Sequence, residues 1–487
     1  MPTDDPRSSA STSGPAEPSD GQPSSGVARD GTGDGTGDGA HRREFLRGLA
    51  GVGVGLAASG LAAGCGATAS APRSRGQSVM GFHAPPIDEV KLAVVGVGGR
   101  GTSLLNGFLK VEGVRVVAVC DIREEATTRA QGMCTGAGRE EPVAYTDGDY
   151  DYRRLCAESD ADLVVIATPW RWHVPMAVSA MRNGKHTVTE VPAATTLEGC
   201  WELVQTAEET QRHCMMLENV CYGSSELMVL NMVRQGLFGE LLHGEAAYIH
   251  DLRGILFSEV GEGLWRTQHS VDRDGNLYPT HGLGPVAQSM GINRGDRFNT
   301  LVSMSTKSAG MPLDAERRFD AGHAWNNVEY RCGDMNTSLV RTARGRTIMI
   351  QHDTTSPRPY DRINLIQGTK GTFRGFPDRI YVEGRSPGHG FEDLAPYREF
   401  THPLWEKVGE IAKQVGGHGG MDYVMSWRLI DCLRRGLPLD MDVYDAASWS
   451  AVSELSERSV AQGSAPQEFP DFTRGQWKTT PPLGIVS

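Results

Sequence analysis

A short apolar, β-branched run, Glu89-Val90-Lys91-Leu92-Ala93-Val94-Val95, leads straight into Gly96-Val97-Gly98-Gly99-Arg100-Gly101, and the residues from Thr102 to Val111 then read as a helix. A strand, a GxGxxG loop and a helix in immediate succession make the phosphate-binding turn of a dinucleotide site. Gly96 permits the tight turn, Gly98 lets backbone approach a pyrophosphate, and Gly101 allows the helix to lie close to the strand with its N-terminus facing the phosphates. In a chain with 60 glycines the loop alone is weak, so the second strand matters more. It runs from Val114 to Cys120 and ends at Asp121, about 20 residues past the last glycine. An acidic side chain there accepts from the ribose hydroxyls and repels a 2′-phosphate, which selects NAD over NADP.

The pattern continues. Asp162 to Pro169 is a strand of the fully buried kind, His173 to Asn183 its helix, His186 to Glu190 and His213 to Glu218 further strands, with a helix from Leu197 to Thr210 between them. Alternating strands and helices predict an α/β fold, a doubly wound parallel sheet over residues 85–220. Ligands of such sheets sit beyond the carboxyl ends of the strands. That places Trp170, Arg171, Trp172 and His173, the Glu190-Val191-Pro192 turn and Asn219 around the nicotinamide end of the cofactor, although Trp170 and Trp172 read equally well as packing residues.

From about residue 240 the texture changes. β-rich runs appear at Leu241 to His250, Thr300 to Ser305, Asn327 to Cys332, Ser338 to His352, Arg362 to Gln367, Gly371 to Arg374 and Arg379 to Val382. Helices return at Pro285 to Met290, Met421 to Arg435 and Val443 to Ser456. Residues 221–487 therefore read as an α+β domain with an open, mainly antiparallel sheet, its last helices and tail placed to pack back on the Rossmann domain.

The N-terminal region is of another kind. Residues 1–40 are almost entirely Pro, Ser, Thr, Gly, Asp and Ala, with too little apolar surface to offset the entropy of ordering. His41-Arg42-Arg43-Glu44-Phe45-Leu46-Arg47 and the uncharged run from Gly48 to Cys65 read as a twin-arginine export signal over residues 41–72. A membrane anchor is the alternative, but glycines and alanines give that run a poor transfer free energy. Leu61-Ala62-Ala63-Gly64-Cys65 is similar to a lipoprotein box, so a lipid on Cys65 is the one membrane contact expected, with simple cleavage as the alternative. The protein is then periplasmic or otherwise extracytoplasmic, and the export machinery is a partner. The remaining eight cysteines form no CxxC and the 14 histidines no HxxxH, which predicts free thiols and no metal. A net charge of -12 without a basic stripe argues against nucleic acid.

The glycine loop, the Glu190-Val191-Pro192 turn and the sheet domain, in this order, resemble the Gfo/Idh/MocA family of nicotinamide sugar oxidoreductases. A tighter resemblance rests on Glu218-Asn219-Val220-Cys221-Tyr222, Tyr248-Ile249-His250-Asp251-Leu252-Arg253-Gly254, Trp265-Arg266-Thr267, Leu277-Tyr278-Pro279-Thr280-His281-Gly282, Asn293-Arg294-Gly295, Arg358-Pro359-Tyr360 and Gly416-Gly417-His418-Gly419-Gly420-Met421-Asp422-Tyr423. Together these look like glycoside hydrolase family 109, whose members are known as α-N-acetylgalactosaminidases that retain NAD. The resemblance implies that Arg100, Gly101, Asp121, Trp170 to His173, Glu190, Val191 and Asn219 contact NAD. It likewise implies that Tyr248, Arg266, Tyr278, Pro279, Thr280, His281 and Tyr360 line the sugar pocket. Two positions depart from the oxidoreductases: Val191 stands where they carry a lysine, and Tyr278-Pro279-Thr280-His281-Gly282 replaces their Asp-x-Gly-x-His.

What the resemblance implies is hydrolysis by temporary oxidation, an exception to the two-carboxylate rule for glycosidases. The sugar is oxidised at C3, a base removes the C2 proton, the aglycone leaves C1, water adds, and C3 is reduced again. His281 is the first choice for the C3 hydroxyl proton, since imidazole titrates near neutrality. Tyr222 and Tyr278 are candidates for the C2 base, and His418, in a glycine loop, is the fourth catalytic candidate. A net sugar oxidoreductase and a non-catalytic sugar-binding lipoprotein remain as alternatives. The partner is a glycoside or glycan terminus, and a homo-oligomer is left open.

Overall fold

The computed structural model describes residues 76–482 except residue 259. The segment 1–40, the export signal over 41–72 and Cys65 lie outside the described residues. The first sheet comprises β1 (Val90–Val95), β2 (Val114–Cys120), β3 (Val143–Tyr145), β4 (Leu163–Ile166), β5 (His186–Thr189) and β6 (Cys214–Met216). Its order is β3-β2-β1-β4-β5-β6, parallel throughout. Strands buried on both faces need unbroken apolar, β-branched runs, and Val90, Leu92, Val94, Val164, Val165 and Ile166 are wholly buried. Helices α1 (Gly99–Phe108), α2 (Glu124–Gly136), α3 (Tyr152–Glu158), α4 (His173–Arg182) and α5 (Leu197–Thr210) connect them. The helix expected over 102–111 thus begins a turn earlier, in the glycine loop itself. Thr196 caps α5 by accepting from the Gly199 N–H, which explains its sharp start.

After α6 (Ser224–Arg234) comes the second sheet, whose long strand β7 (Leu241–Ile249) is followed by the helices α7 (Arg253–Leu256), α8 (Gly263–Asp272) and α9 (Thr280–Ser289). Then follow β8 (Phe298–Ser305), α10 (Gly310–Arg318), β9 (Asn336–Thr342), β10 (Thr347–Asp353), β11 (Leu365–Gly368), β12 (Gly371–Arg374) and β13 (Arg379–Val382). Helices α11 (Pro403–Val415), α12 (Met421–Arg435), α13 (Val443–Ser450) and α14 (Val452–Ala461) and the short β14 (Gln467–Glu468) complete the order. The sheet runs β13-β12-β11-β7-β10-β9-β8-β14, and β7 with β10 is its one parallel pair among the described residues.

Four expectations are corrected. Asn327 to Cys332 is no strand: Ala324–Asn327 is a 3₁₀ turn, the Tyr330 hydroxyl donates to the Trp325 carbonyl, and the Cys332 N–H goes to the Ser270 carbonyl of α8. Ser338 to His352 is a hairpin, turned where Gly345 takes φ +86°. The helix expected from Pro285 starts at Thr280, because proline sits within the helix instead of opening it. The run Val443 to Ser456 divides at Ala451 into two helices.

Two packing facts position the site. Helix α9 lies directly on β7, where a Cβ on Gly282 would come within 2.3 Å of the Ala247 N; only glycine allows that approach, which brings His281 beside Tyr248. At the C-terminal end α12 packs on α1, and α13 on α5 and β6, so this part of the chain returns to the Rossmann layer.

Candidate active site

A cavity of about 460 Å³ opens beyond the carboxyl ends of β1, β2 and β4. At one end is the glycine loop. Gly96 takes φ +83°, and a Cβ on Gly101 would lie 1.8 Å from the Gly96 carbonyl oxygen, so the loop and α1 are held at a distance only hydrogen can fill. Gly101 itself lies beneath the cavity, while Gly96, Gly98 and Arg100 line it. At the end of β2 the Asp121 carboxylate accepts from the Val97 N–H (3.0 Å) and the Arg123 N–H (3.1 Å). The carboxylate thus braces the loop from the ribose position.

The other end is aromatic. Trp170, Arg171, Trp172 and His173, from the turn after β4, line the cavity with Glu190 and Val191 from the turn after β5 and with Arg266 and Tyr278 from the second domain. Trp170 stacks on Tyr278 with centroids 5.6 Å apart, whereas Trp172 meets Tyr150 edge-on. His173 is buried between the carbonyls of Pro192 (Nδ1, 2.7 Å) and Thr168 (Nε2, 2.8 Å), and burial lowers its pKa. It fixes the turn, donating to one of the two carbonyls through whichever ring nitrogen carries the hydrogen. Arg100 bridges Glu190 (Nε to Oε1, 2.7 Å) and Asp422 (Nη1 to Oδ2, 2.8 Å). Burial works against that cation, but the two carboxylates more than offset it and hold its pKa above the ordinary value. Asn219 stands behind the lining and donates to Asp422 Oδ1 at 2.6 Å.

The proton-transfer candidates separate into two that meet and two that do not. His281, at the start of α9, has its Nδ1 2.5 Å from Oε1 of Glu218, which is wholly buried just past β6. A carboxylate can only accept, so Nδ1 carries the hydrogen and Nε2 presents the lone pair. The Tyr278 ring stands edge-on to His281 at 4.9 Å and to the other side lies Tyr248, 4.6 Å from Tyr278 and 5.5 Å from His281. The Arg266 guanidinium is 5.0 Å from the Tyr278 ring and 5.2 Å from that of Trp170. Burial pushes Tyr248 up to about 12 against the pull of Arg266, and pushes Tyr278 well above its ordinary value. Tyr360 closes this group, 6.0 Å from the Tyr248 ring, its hydroxyl accepting from Arg362. Of the residues expected to line the sugar pocket, Arg266 and Tyr278 line the cavity, Tyr248, His281 and Tyr360 stand behind them, and Pro279 and Thr280 are buried supports at the start of α9.

Tyr222 and His418 are corrected. Tyr222 is sealed in the core, donating to Asp440 beside Arg428, and burial drives its pKa well up. The turn after β6 aims it at α12, away from the cavity. His418 is largely exposed and pairs through Nδ1 with Asp422 Oδ2 at 2.8 Å, outside the lining. The partner of a proton-transfer candidate that the sequence reading missed is Glu218. It sits where ligands meet a parallel sheet, two residues past the sixth strand, but its target lies 63 residues away.

Among the described residues no cluster of His, Cys, Asp or Glu could hold a metal, and the eight cysteines there are free and buried. The glycine cradle, the acid at the end of β2 and the long lined cavity fit NAD.

Comparison with known proteins agrees with this geometry. Residues 90–218 match the oxidoreductase family with an NAD-binding Rossmann fold, and residues 222–479 the glycosyl hydrolase 109 C-terminal domain. A glycosyl hydrolase family 109 protein of Solibacter usitatus (strain Ellin6076) is 53% identical over 91% of this chain and 99% of its own length. One from Shewanella baltica (strain OS195) is 52% identical over 92% and 99%. Among solved structures, levoglucosan dehydrogenase in complex with NADH superposes with a TM-score of 0.62 at 17% identity, covering 79% of this chain and all of that one. Scyllo-inositol dehydrogenase from Lactobacillus casei gives 0.57 at 14% over 79% and 99%; at such identities the likeness is one of fold. The chain belongs to glycosyl hydrolase family 109 and is a glycoside hydrolase that uses NAD, built from a Gfo/Idh/MocA Rossmann domain and the family 109 sheet domain.

Proposed function

We propose that this enzyme is an α-N-acetylgalactosaminidase that cleaves by transient oxidation at C3 of the sugar, with His281 held by Glu218 exchanging the C3 hydroxyl proton and Tyr248 removing the proton at C2. The observation that carries the reading is the Glu218–His281 pair, packed with Tyr248 against Tyr278, which lines the end of the dinucleotide cavity together with Arg266. When bound, NAD supplies the oxidation at C3 and its reversal. His281 accepts at Nε2 because Nδ1–H is committed to Glu218, and the buried carboxylate stabilises the imidazolium that forms. Tyr248 is our choice for C2 because its ring packs against both Tyr278 and His281, and the Arg266 charge opposes in part the burial that raises its pKa. Tyr278 supplies ring surface between Trp170 and His281. Arg100, tied to Glu190 and Asp422, positions Glu190 and the turn that ends at Val191.

The test incubates purified protein, without added cofactor, with an aryl α-N-acetylgalactosaminide in D₂O and follows the sugar by NMR. Phenol release with deuterium at C2 is expected. Phenol release with hydrogen retained at C2 would refute the oxidative route, and an intact glycoside would refute the sugar assignment. NADH accumulating without phenol would favour the net oxidoreductase. An exported location, with Cys65 acylated, belongs to the same proposal and is read from cell fractionation.

A further inference from the structure

A second cavity, of about 380 Å³, lies at the far end of helix α9 from His281. It is walled by the last turn of α6, the residues just after α9, and the turn of the β9–β10 hairpin. Its charged residues are Arg234, Arg294, Arg344, Arg346, Glu240 and Asp445. Two of the arginines are neutralised: Arg294 pairs with Asp445 (2.8 Å) and Asp442 (2.7 Å), and Arg346 with Glu240 (3.1 Å). The guanidinium groups of the other two have no carboxylate partner among the described residues, although the Arg344 backbone N–H donates to Asp296 (3.0 Å). Arg344 spends its Nε on the Gly295 carbonyl. Arg234 makes no ion pair, and its Nη1 is buried without a protein acceptor. Burial lowers the Arg234 pKa, with Asp440 opposing and Arg294 adding to the effect. Beside them the Gln288 amide, from the last turn of α9, also has a buried Nε2 with no protein acceptor. Two cations without a carboxylate partner, Arg234 half-buried and Arg344 exposed, and two buried donors around one cavity fit a ligand that only accepts and carries negative charge.

We infer that this cavity is an oxyanion site for a sulfate or phosphate group, held by Arg234 and Arg344 with Gln288 as a neutral donor. Guanidinium forks match the tetrahedral oxygens of such groups. The site is separate from the catalytic one, since α9 sets about seven residues, ~10 Å of helix, between His281 and Gln288. The same chemistry has two sources, a free inorganic ion or a sulfate or phosphate ester on a glycan.

Isothermal titration of the holoenzyme with sodium sulfate, sodium phosphate, galactose 6-sulfate and galactose 6-phosphate, against sodium chloride at matched ionic strength, distinguishes them. Saturable one-to-one binding of at least one is expected, weakened tenfold or more in Arg234→Leu and in the Arg344→Leu variant, and several-fold in Gln288→Leu. Equal affinity for ion and ester marks a free-ion site, and tighter ester binding a glycan substituent; either supports the inference. Unfolding temperature and NAD content of each variant without ligand check that the fold is kept, and Gln288→Leu, which removes no charge, serves if the arginine variants fail that check. No saturable binding to the wild type, or binding that all three variants leave unchanged, would overturn it.

Discussion

Replacing Glu218 by glutamine tests the central contact of the site. The amide can still accept from His281 Nδ1–H, so the ring's orientation and tautomer are preserved while the buried charge is removed. What is lost is stabilisation of the imidazolium once Nε2 has taken the sugar's proton. A hydrogen bond to a charged group contributes about 1.5–3 kcal/mol. A unit charge at ~4 Å in an effective dielectric of about 20 contributes about 4 kcal/mol. With each ~1.4 kcal/mol worth tenfold in rate, kcat should fall by roughly 10²–10³, while KM and NAD content stay near wild type. The assay is steady-state phenol release from an aryl α-N-acetylgalactosaminide, paired with single-turnover absorbance at the NADH band to isolate the oxidation step. Both should slow together, because the proton leaves during oxidation. A loss under tenfold, or a loss that merely follows cofactor content, would refute the assignment of Glu218 as the group that sustains His281 in proton transfer.

Other parts of the structure make further claims. Gly101→Ala puts a methyl 1.8 Å from the Gly96 carbonyl oxygen, and should leave the purified protein with less than a tenth of its NAD, measured by releasing the nucleotide with acid or heat. At Asp422 burial disfavours the carboxylate, but hydrogen bonds from His418 and Arg100 more than offset this and hold the carboxyl well below the usual range. A depressed folded pKa contributes stability above the unfolded value and loses it as pH falls through the folded one. Asp422→Asn should therefore cost about 3 kcal/mol at pH 7, with the gap to wild type narrowing below about pH 4; denaturant titrations across pH give the curve. His352 is buried and burial lowers its pKa to about 3. The unfolded chain, at about 6.5, then takes up the proton first, so stability declines as pH drops below 6.5, by about 2 kcal/mol at pH 5 from this residue. His352→Phe should remove that share of the acid sensitivity in the same titrations.

In the dinucleotide half β1, β2 and β4 were legible because each is a nearly unbroken apolar run that stops at a turn residue, whereas β3, three residues long at the sheet edge, gave no such signal. The second half hid its decisive elements. Helix α8, which delivers Arg266, reads as a polar stretch with one tryptophan in its middle, and α9 carries a proline inside it where proline usually opens a helix. The choice among tyrosines was illegible for a different reason. Tyr222, Tyr248 and Tyr278 are equally aromatic in sequence, and only the turn after β6, which sends Tyr222 toward Asp440, separates core from cleft. His418 likewise needs its loop: its own φ of +47°, beside Gly417 at +80° and Gly419 at +71°, belongs to a turn that places it on Asp422 and away from the sugar end.

A two-carboxylate mechanism requires one acid free to protonate the leaving oxygen and another free to act as base or nucleophile. The acids at the sugar end of the cavity are committed elsewhere. Glu190 is held by Arg100, Glu262 by Arg266 at 3.0 Å, and Glu218 by His281. Asp121 is at the ribose position, bonded to the glycine loop. Nor does the site carry the lysine of the sugar oxidoreductases, since Val191 stands there and is almost wholly buried. What stands at and behind this end of the cleft instead is a carboxylate-backed imidazole and a tyrosine beside an arginine, the kinds of group the proposed reaction needs for exchanging protons. Groups of that kind suit a reaction whose bond cleavage is made easy by a neighbouring ketone. The same inventory fits the proposed hydrolysis through temporary oxidation better than direct acid–base hydrolysis.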